Sequence, residues 1–168
     1  MLYNNYEALS DELNACLEEH NYLKLRSILK NVLPQDIAIF IDDIEPESAA
    51  IVFRLLSKDV GADVFRYLRP DTQFELIRAY SDRDISELVA GLYIDDLADF
   101  LEEMPASVAK RVLDNTAPDK RSNVNRILKY PEDSAGSIMT TEYMHLKQDM
   151  TVADAIDRLR HSGTKHET

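Results

Sequence analysis

The sequence predicts an all-α protein, a superhelical array of short helices with a period of about 12 residues. The main observation is an apolar pattern that recurs at this period along the middle of the chain. Prolines and acidic residues near the start of the units agree with this period. The chain has 168 residues, of which 45% are hydrophobic, and this is enough to form a core. Three columns of six apolar residues run without a gap: Ile44, Leu56, Leu68, Tyr80, Leu92 and Met104; Phe53, Phe65, Ile77, Val89, Leu101 and Leu113; Val52, Val64, Leu76, Leu88, Phe100 and Val112. One short helix cannot bury its own apolar stripe, so the units must stack into a solenoid or right-angled superhelix.

The segments before the repeats predict two ordinary amphipathic helices. "YEALSDELNACLEEH" and "YLKLRSILKNVL" place apolar residues three and four positions apart. We expect these helices to cap the array at its beginning.

Each repeat unit has room for a helix of about two and a half turns, roughly 14 Å long, and a tight turn. Near the unit starts stand Pro34, Pro46, Pro70, Pro105 and Pro118, and the side chains available to cap or to meet the positive helix end are Asp59, Asp71, Ser81 or Asp82, Asp95 and Ser107. We therefore expect residues 33–129 to contain consecutive short helices and no sheet. Ten positions should be mostly buried: Val52, Phe53, Val64, Phe65, Leu76, Ile77, Leu88, Val89, Phe100 and Leu101.

The pattern changes after Tyr130. "YPEDSAGS" has the composition of a loop, "YMHLK" has the character of a strand, and "MTVADAIDRLR" predicts a helix with Thr151 as N-cap and Asp154 in the capping-box position. A single strand and helix cannot make a domain. We expect residues 1–130 to form the helical domain and residues 131–168 to form a linker and the beginning of an incomplete second module.

Charge and composition narrow the possible functions. With 19 basic and 31 acidic residues, the formal charge of -12 opposes binding to nucleic acid or anionic bilayers and favours cations or basic partners. The single Cys16 cannot form an internal disulfide, which favours a reducing compartment. No run of about 18 apolar residues is present, so we expect no membrane crossing by these residues.

The segment "LYIDDLADFLEEM" is the candidate binding site, because no lysine or arginine occurs between Asp84 and Ala109. On a helix, Asp95, Asp99 and Glu102 lie opposite the apolar face and share a solvent stripe. Like charges four residues apart destabilise a helix by about 0.2 to 0.5 kcal/mol per pair. A bound cation would compensate, but an ordinary solvated acidic face explains the same pattern, and both readings stay open on these residues alone.

Other chemistry finds little support. The four histidines lack a shared metal-binding spacing, and the four glycines form no phosphate-binding loop. No set of nucleophile, base and orienting group can be named, so we do not expect an enzyme.

The junction "YPEDSAGSIMTTEY", with Ala135-Gly136 and Met139-Thr140, resembles a characteristic A-G-x-x-M-T stretch of MgtE-type magnesium transporters. Together with the helical repeats and "YIDDLADFLEEM", nearly the whole chain resembles the cytosolic N-terminal domain of that family running into its first CBS domain. The resemblance implies an armadillo-like right-handed superhelix on the cytoplasmic side of the membrane. In the parent protein, two CBS domains, a connecting helix and a membrane pore would follow, and the full-length protein would be a homodimer.

The resemblance also implies a role for the acids. Asp95 and Asp99 match the two aspartates of the family's D-D-L-A-D motif, which are implicated in Mg²⁺ binding between this domain and its neighbours. Asp63, in "GADVFRYL", matches another acidic position with less motif support. Magnesium would bridge acidic surfaces that otherwise repel, and thereby favour a compact protein and a closed pore. The alternative is a helical-repeat scaffold for protein partners, similar to the middle domain of flagellar motor switch proteins, with the acids serving only solubility.

Overall fold

The computed structural model describes residues 6–131 and 134–162, and every regular element in those residues is an α-helix. Helices α1 (Tyr6–Glu18) and α2 (Tyr22–Leu29) come first and pack against each other. They bury Leu9, Leu13 and Leu25 on their facing sides. These are the two amphipathic helices predicted ahead of the repeats.

Residues 34–127, all of them described, form eight consecutive helices. Their bounds are α3 Pro34–Asp43, α4 Pro46–Leu55, α5 Lys58–Phe65, α6 Pro70–Ala79, α7 Asp82–Gly91, α8 Ile94–Glu102, α9 Ala106–Asp114 and α10 Pro118–Ile127. The first residues of successive helices are 12 positions apart from α3 to α10. The predicted period and the absence of a sheet in this range are therefore confirmed.

The helix starts use two devices. Proline occupies the first turn of α3, α4, α6 and α10, where its fixed φ suits the helix and its missing N–H costs nothing. At α7, Ser81 Oγ accepts from the Asp84 N–H at 3.2 Å and the Ser81 N–H donates to Asp84 Oδ2 at 3.2 Å, which is a complete capping box. Asp59, Asp71 and Asp95 lie in the first turns of their helices, where they meet the positive end without capping it.

The helices stack in two interleaved rows. Helix α5 packs on α3 and α7, helix α6 packs on α4, and helix α10 packs on α8. All ten positions predicted to be buried are buried, the most exposed being Leu88 at 7%. Aromatic rings link the units: the centroids of Phe53 and Phe65 are 6.2 Å apart, and those of Phe65 and Phe100 are 5.2 Å apart, both edge to face.

Polar side chains donate hydrogen bonds to backbone carbonyls at helix ends. Buried Gln73 donates from Nε2 to the Phe65 carbonyl at 2.8 Å. Arg111 on α9 donates to the carbonyls of Ile77 at 3.1 Å and Tyr80 at 2.7 Å. These contacts fix the turns between stacked units.

The chain after α10 is irregular over residues 134–150, and helix α11 (Val152–Ser162) follows. The predicted capping box is present: Thr151 Oγ1 donates to Asp154 Oδ2 at 2.6 Å and accepts from the Asp154 N–H at 3.2 Å. The strand expected at "YMHLK" is not confirmed, since residues 143–147 form no strand with any described segment. A strand exists only with a partner to complete its hydrogen bonds. Residues 132–133 of the junction and 163–168 of the predicted CBS fragment lie outside the described residues.

Among the described helices, none combines the length and the apolar character needed to span a bilayer.

Candidate metal site

Helix α8 carries the predicted acids on one side and the core on the other. Its buried residues are Ile94, Leu97, Ala98, Phe100 and Leu101. Asp99, Glu102 and Glu103 are exposed, whereas Asp95 and Asp96 are half-buried. The predicted division into an apolar and an acidic face is therefore present.

The environment of Asp95 differs from the open solvent stripe expected for it. Its Oδ1 atom is buried and accepts no hydrogen bond from the described residues. Buried carboxylate oxygens in folded proteins nearly always have a donor or a cation beside them. Asp95 therefore presents an unsatisfied hard oxygen at the beginning of α8.

Asp99 lies one turn further along the same helix and lines a cleft. Although the residue is exposed overall, the cleft walls remove part of the water around its carboxyl group, and this desolvation, followed by the negative charge of Asp95, raises the pKa of Asp99 above its ordinary value of 3.8. Both effects disfavour the ionised form. A cation bound between or beside the two carboxylates would favour their ionised forms and offset both effects, so this pair fits the donor chemistry of Mg²⁺, which prefers hard oxygen ligands.

The cleft beside α8 has a volume of about 350 Å³, and its surface is mainly polar. It is lined by Asp96, Asp99, Glu102 and Glu103 on α8, and by Arg66, Leu68, Pro70, Gln73 and Phe100. Glu102 therefore stands on the same cleft as Asp99, as the helical spacing predicts.

Arg66, at the end of α5, partly neutralises this cleft. Its Nη1 lies 3.7 Å from Asp96 Oδ2, and its guanidinium lies 4.9 Å from the centre of the Tyr67 ring. Burial alone would lower the pKa of Arg66, but the hydrogen bond to Tyr67 Oη and the charges of Asp96 and Asp63 outweigh burial and raise it. Asp96 is thus paired with a permanent cation.

Asp63 is exposed on α5, and its negative charge contributes to the raised pKa of Arg66. Within residues 6–131 and 134–162, no group of three or more His, Cys, Asp or Glu side chains could hold a metal ion together. An ion held by Asp95 and Asp99, which lie four positions apart on α8, would therefore have protein ligands on one side only. The remaining ligands of an octahedral ion would be water or groups from elsewhere.

Sequence reasoning missed three residues near the start of α8: Arg66, Lys120 and Glu142. The Lys120 ammonium on α10 donates to the Leu92 carbonyl; burial lowers the pKa of Lys120, against the opposing charge of Glu142. Glu142, after α10, accepts the Ile94 N–H at 2.6 Å. The stacking of helices two units apart is the one signal that could have pointed to Lys120, since it brings α10 onto α8.

The fold and the site together define a class of protein: an all-α repeat domain with one acidic, partly buried helix face. A family model described as "MgtE intracellular N domain" matches residues 32–133. The magnesium transporter MgtE of Thermus thermophilus is 33% identical over 166 residues, which are 96% of this chain and 37% of that protein. MgtE of Bacillus subtilis is 35% identical over 66 residues, 39% of this chain and 15% of that protein. This chain belongs to the MgtE family, as the junction and repeat motifs predict, and that family is one of transporters rather than enzymes.

Solved structures agree with the fold. The crystal structure of the cytosolic domain of the Mg²⁺ channel MgtE in complex with ATP has a TM-score of 0.84 and 32% identity, covering 95% of this chain and 65% of that one. The soluble part of a magnesium transporter has a TM-score of 0.86, covering 98% of this chain and 65% of that one, and at 20% identity it shows the fold alone. This chain spans 37% of the length of its Thermus relative.

Proposed function

We propose that this chain is the cytosolic Mg²⁺-sensing regulatory domain of a magnesium transporter. Asp95 and Asp99 are the principal Mg²⁺ ligands, Glu102 assists from the cleft, and Asp63 is a secondary acidic position. The observation that carries the proposal is the buried Asp95 Oδ1, which accepts no hydrogen bond from the described residues, beside Asp99, whose pKa is raised partly by the charge of Asp95.

Magnesium suits such a site better than a larger or softer ion. It binds carboxylate oxygens and keeps several of its waters, so one or two side chains from a helix surface are sufficient ligands. Arg66 pairs with Asp96, and no ion pair within the described residues neutralises Asp95 or Asp99. Glu102 adds a further oxygen at the cleft.

The exposed apolar face of α11 supports a role within a larger protein. We assign residues 1–130 to the N domain and residues 131–168 to a linker and the beginning of the first CBS domain. Helix α11 carries an apolar face that the described residues leave open, with Val152 at 77%, Ile156 at 42% and Leu159 at 49% exposure. A face of this kind needs cover, and the rest of a CBS domain would provide it.

Regulation would follow from electrostatics. Without metal, the acids of α8 repel an acidic surface that faces them, by about 1 to 4 kcal/mol per close pair depending on the effective dielectric. Magnesium that binds both surfaces favours the compact arrangement, because its affinity for that arrangement is greater. In a transporter with a pore beyond this domain, the compact form would close the pore and limit uptake.

Magnesium titration of this chain, followed by amide NMR, tests the site. We expect shifts centred on the first two turns of α8 with an affinity in the millimolar range or weaker, about that of sparse carboxylate sites. The double substitution Asp95→Asn and Asp99→Asn should abolish these shifts.

A matched control lies in α6, where Asp71 and Glu75 occupy the same two positions of the repeat as Asp95 and Asp99. Asp71→Asn with Glu75→Gln removes the same charge and should leave the α8 shifts unchanged. Shifts of equal size in both double variants would show general screening by a divalent salt, and the site assignment would be wrong.

A further inference from the structure

Glu142 makes a contact that neither the repeat pattern nor the acidic face explains. Its carboxylate accepts the N–H of Ile94, the first residue of α8, at 2.6 Å. The first N–H groups of a helix have no partner within the helix, and a carboxylate there is favoured by the helix dipole. In the described structure the N-cap residue Tyr93 makes no side-chain cap bond, so the cap of α8 comes from a residue 48 positions later.

Two residues interact with Glu142 here, one through its charge and one through a hydrogen bond. Lys120 on α10 donates to the Leu92 carbonyl just ahead of α8, and its charge interacts with that of Glu142. The N–H of Glu142 donates to Thr140 Oγ1 at 3.2 Å, which closes a local turn around the glutamate. The carboxylate thus makes a charge-assisted bond from the segment 134–150 to α8, and the ammonium of Lys120 on α10 is a positive charge in its surroundings.

The start of the same segment also packs locally, against the ring of Tyr130 just after α10. Gly136 lies against the ring of Tyr130, and a Cβ added at Gly136 would come within 2.5 Å of ring atoms. This proximity leaves room for glycine only, unless the ring moves. The segment is therefore packed against its own neighbouring residues at its beginning, and the Glu142 carboxylate connects it to α8 further along.

We propose that Glu142 is a latch that fastens the segment 134–150 to the N-terminus of α8. While the latch is closed, the chain leading to α11 keeps a fixed position relative to the acidic helix. When it opens, the segment is no longer fixed to α8. The latch requires no metal, so it stands or falls independently of the proposed magnesium site.

The test compares Glu142→Ala, which removes the acceptor, with Glu142→Gln, which keeps an acceptor but removes the charge. Asp149→Asn is the control, because it removes one exposed carboxylate from the same segment. Two readouts are measured without divalent ions: hydrogen exchange of the Ile94 amide, and the rate of trypsin cleavage after the exposed Lys147. Exchange of core amides in α5 reports whether each variant remains folded.

We expect Glu142→Ala to accelerate both readouts by about tenfold, equivalent to about 1.4 kcal/mol, in the range for a hydrogen bond to a charged group. Glu142→Gln should fall between alanine and wild type, and Asp149→Asn should match wild type. Faster Ile94 exchange with unchanged cleavage would make Glu142 a simple cap and overturn the latch. Unchanged exchange, or equal effects of Asp149→Asn, would overturn it too. If α5 loses protection in Glu142→Ala, the decision rests on Glu142→Gln alone.

Discussion

Replacing Phe65 by alanine tests whether the twelve-residue pattern places this ring in the middle of the stack. Phe65 is 1% exposed, and its ring meets Phe53 at 6.2 Å and Phe100 at 5.2 Å between centroids. Truncating a buried phenylalanine costs about 3 to 5 kcal/mol, and each lost ring pair adds about 0.5 to 1.5 kcal/mol beyond the area effect. We therefore expect Phe65→Ala to lower the free energy of unfolding by about 5 kcal/mol, the upper end of the range for truncating a buried phenylalanine.

Equilibrium urea unfolding followed by far-ultraviolet circular dichroism measures this loss. Leu23→Ala is the control, because Leu23 is 88% exposed and its truncation should change stability by less than about 0.5 kcal/mol. Phe65→Leu retains much of the volume and should lose less than Phe65→Ala, which gives a measurable variant if alanine prevents folding. A loss below about 1 kcal/mol for Phe65→Ala would mean that the assigned repeat phase is wrong.

Two further predictions concern the helix starts and the acids. Ser81→Ala should lower the free energy of urea unfolding by about 1 kcal/mol, because it removes the α7 capping box. Ser57→Ala is the control and should be nearly neutral, since Ser57 makes no side-chain cap bond within the described residues. Equal losses in the two variants would contradict the capping assignment. Because the pKa of Asp99 is raised above 3.8 in the folded chain, ionisation of this carboxyl group destabilises the fold. The destabilisation is absent well below pH 3.8, where the group is protonated in both states, and complete above the raised pKa. Asp99→Asn should therefore stabilise the metal-free chain at neutral pH by about 0.2 to 0.5 kcal/mol, and the gain should vanish in acid. A pH series of unfolding measurements with Asp114→Asn, an exposed carboxylate on α9, as control checks this, and a gain that grows towards low pH would refute it.

The helical array could be predicted because the positions that must be buried recur in the sequence with the period of the repeat. An apolar residue such as Val64 or Leu76 must face the stack in every unit, and a proline such as Pro70 can begin a helix but not continue one. The sequence therefore determines helix starts and core positions through local rules, and these predictions are confirmed from α3 to α10.

The detail of the site could be predicted only in part. A helical wheel treats α8 as an isolated helix, so it places Asp95 in open solvent, although α10 packs on α8 and the later segment reaches its first turn. Arg66 and Lys120 are far from the acids in sequence and near them only because helices stack. Glu142 lies in an irregular segment, for which no periodic rule gives a position.

Small-angle scattering on the longer cytosolic portion of the proposed parent transporter, with and without Mg²⁺, tests the central claim most directly. We expect the wild-type protein and the Asp71→Asn, Glu75→Gln control to become more compact when Mg²⁺ is added. The Asp95→Asn, Asp99→Asn variant should compact much less, because its α8 can no longer share an ion with a facing surface. Equal compaction of all three proteins would mean that the acids of α8 are a solvated helix face and not part of a magnesium sensor.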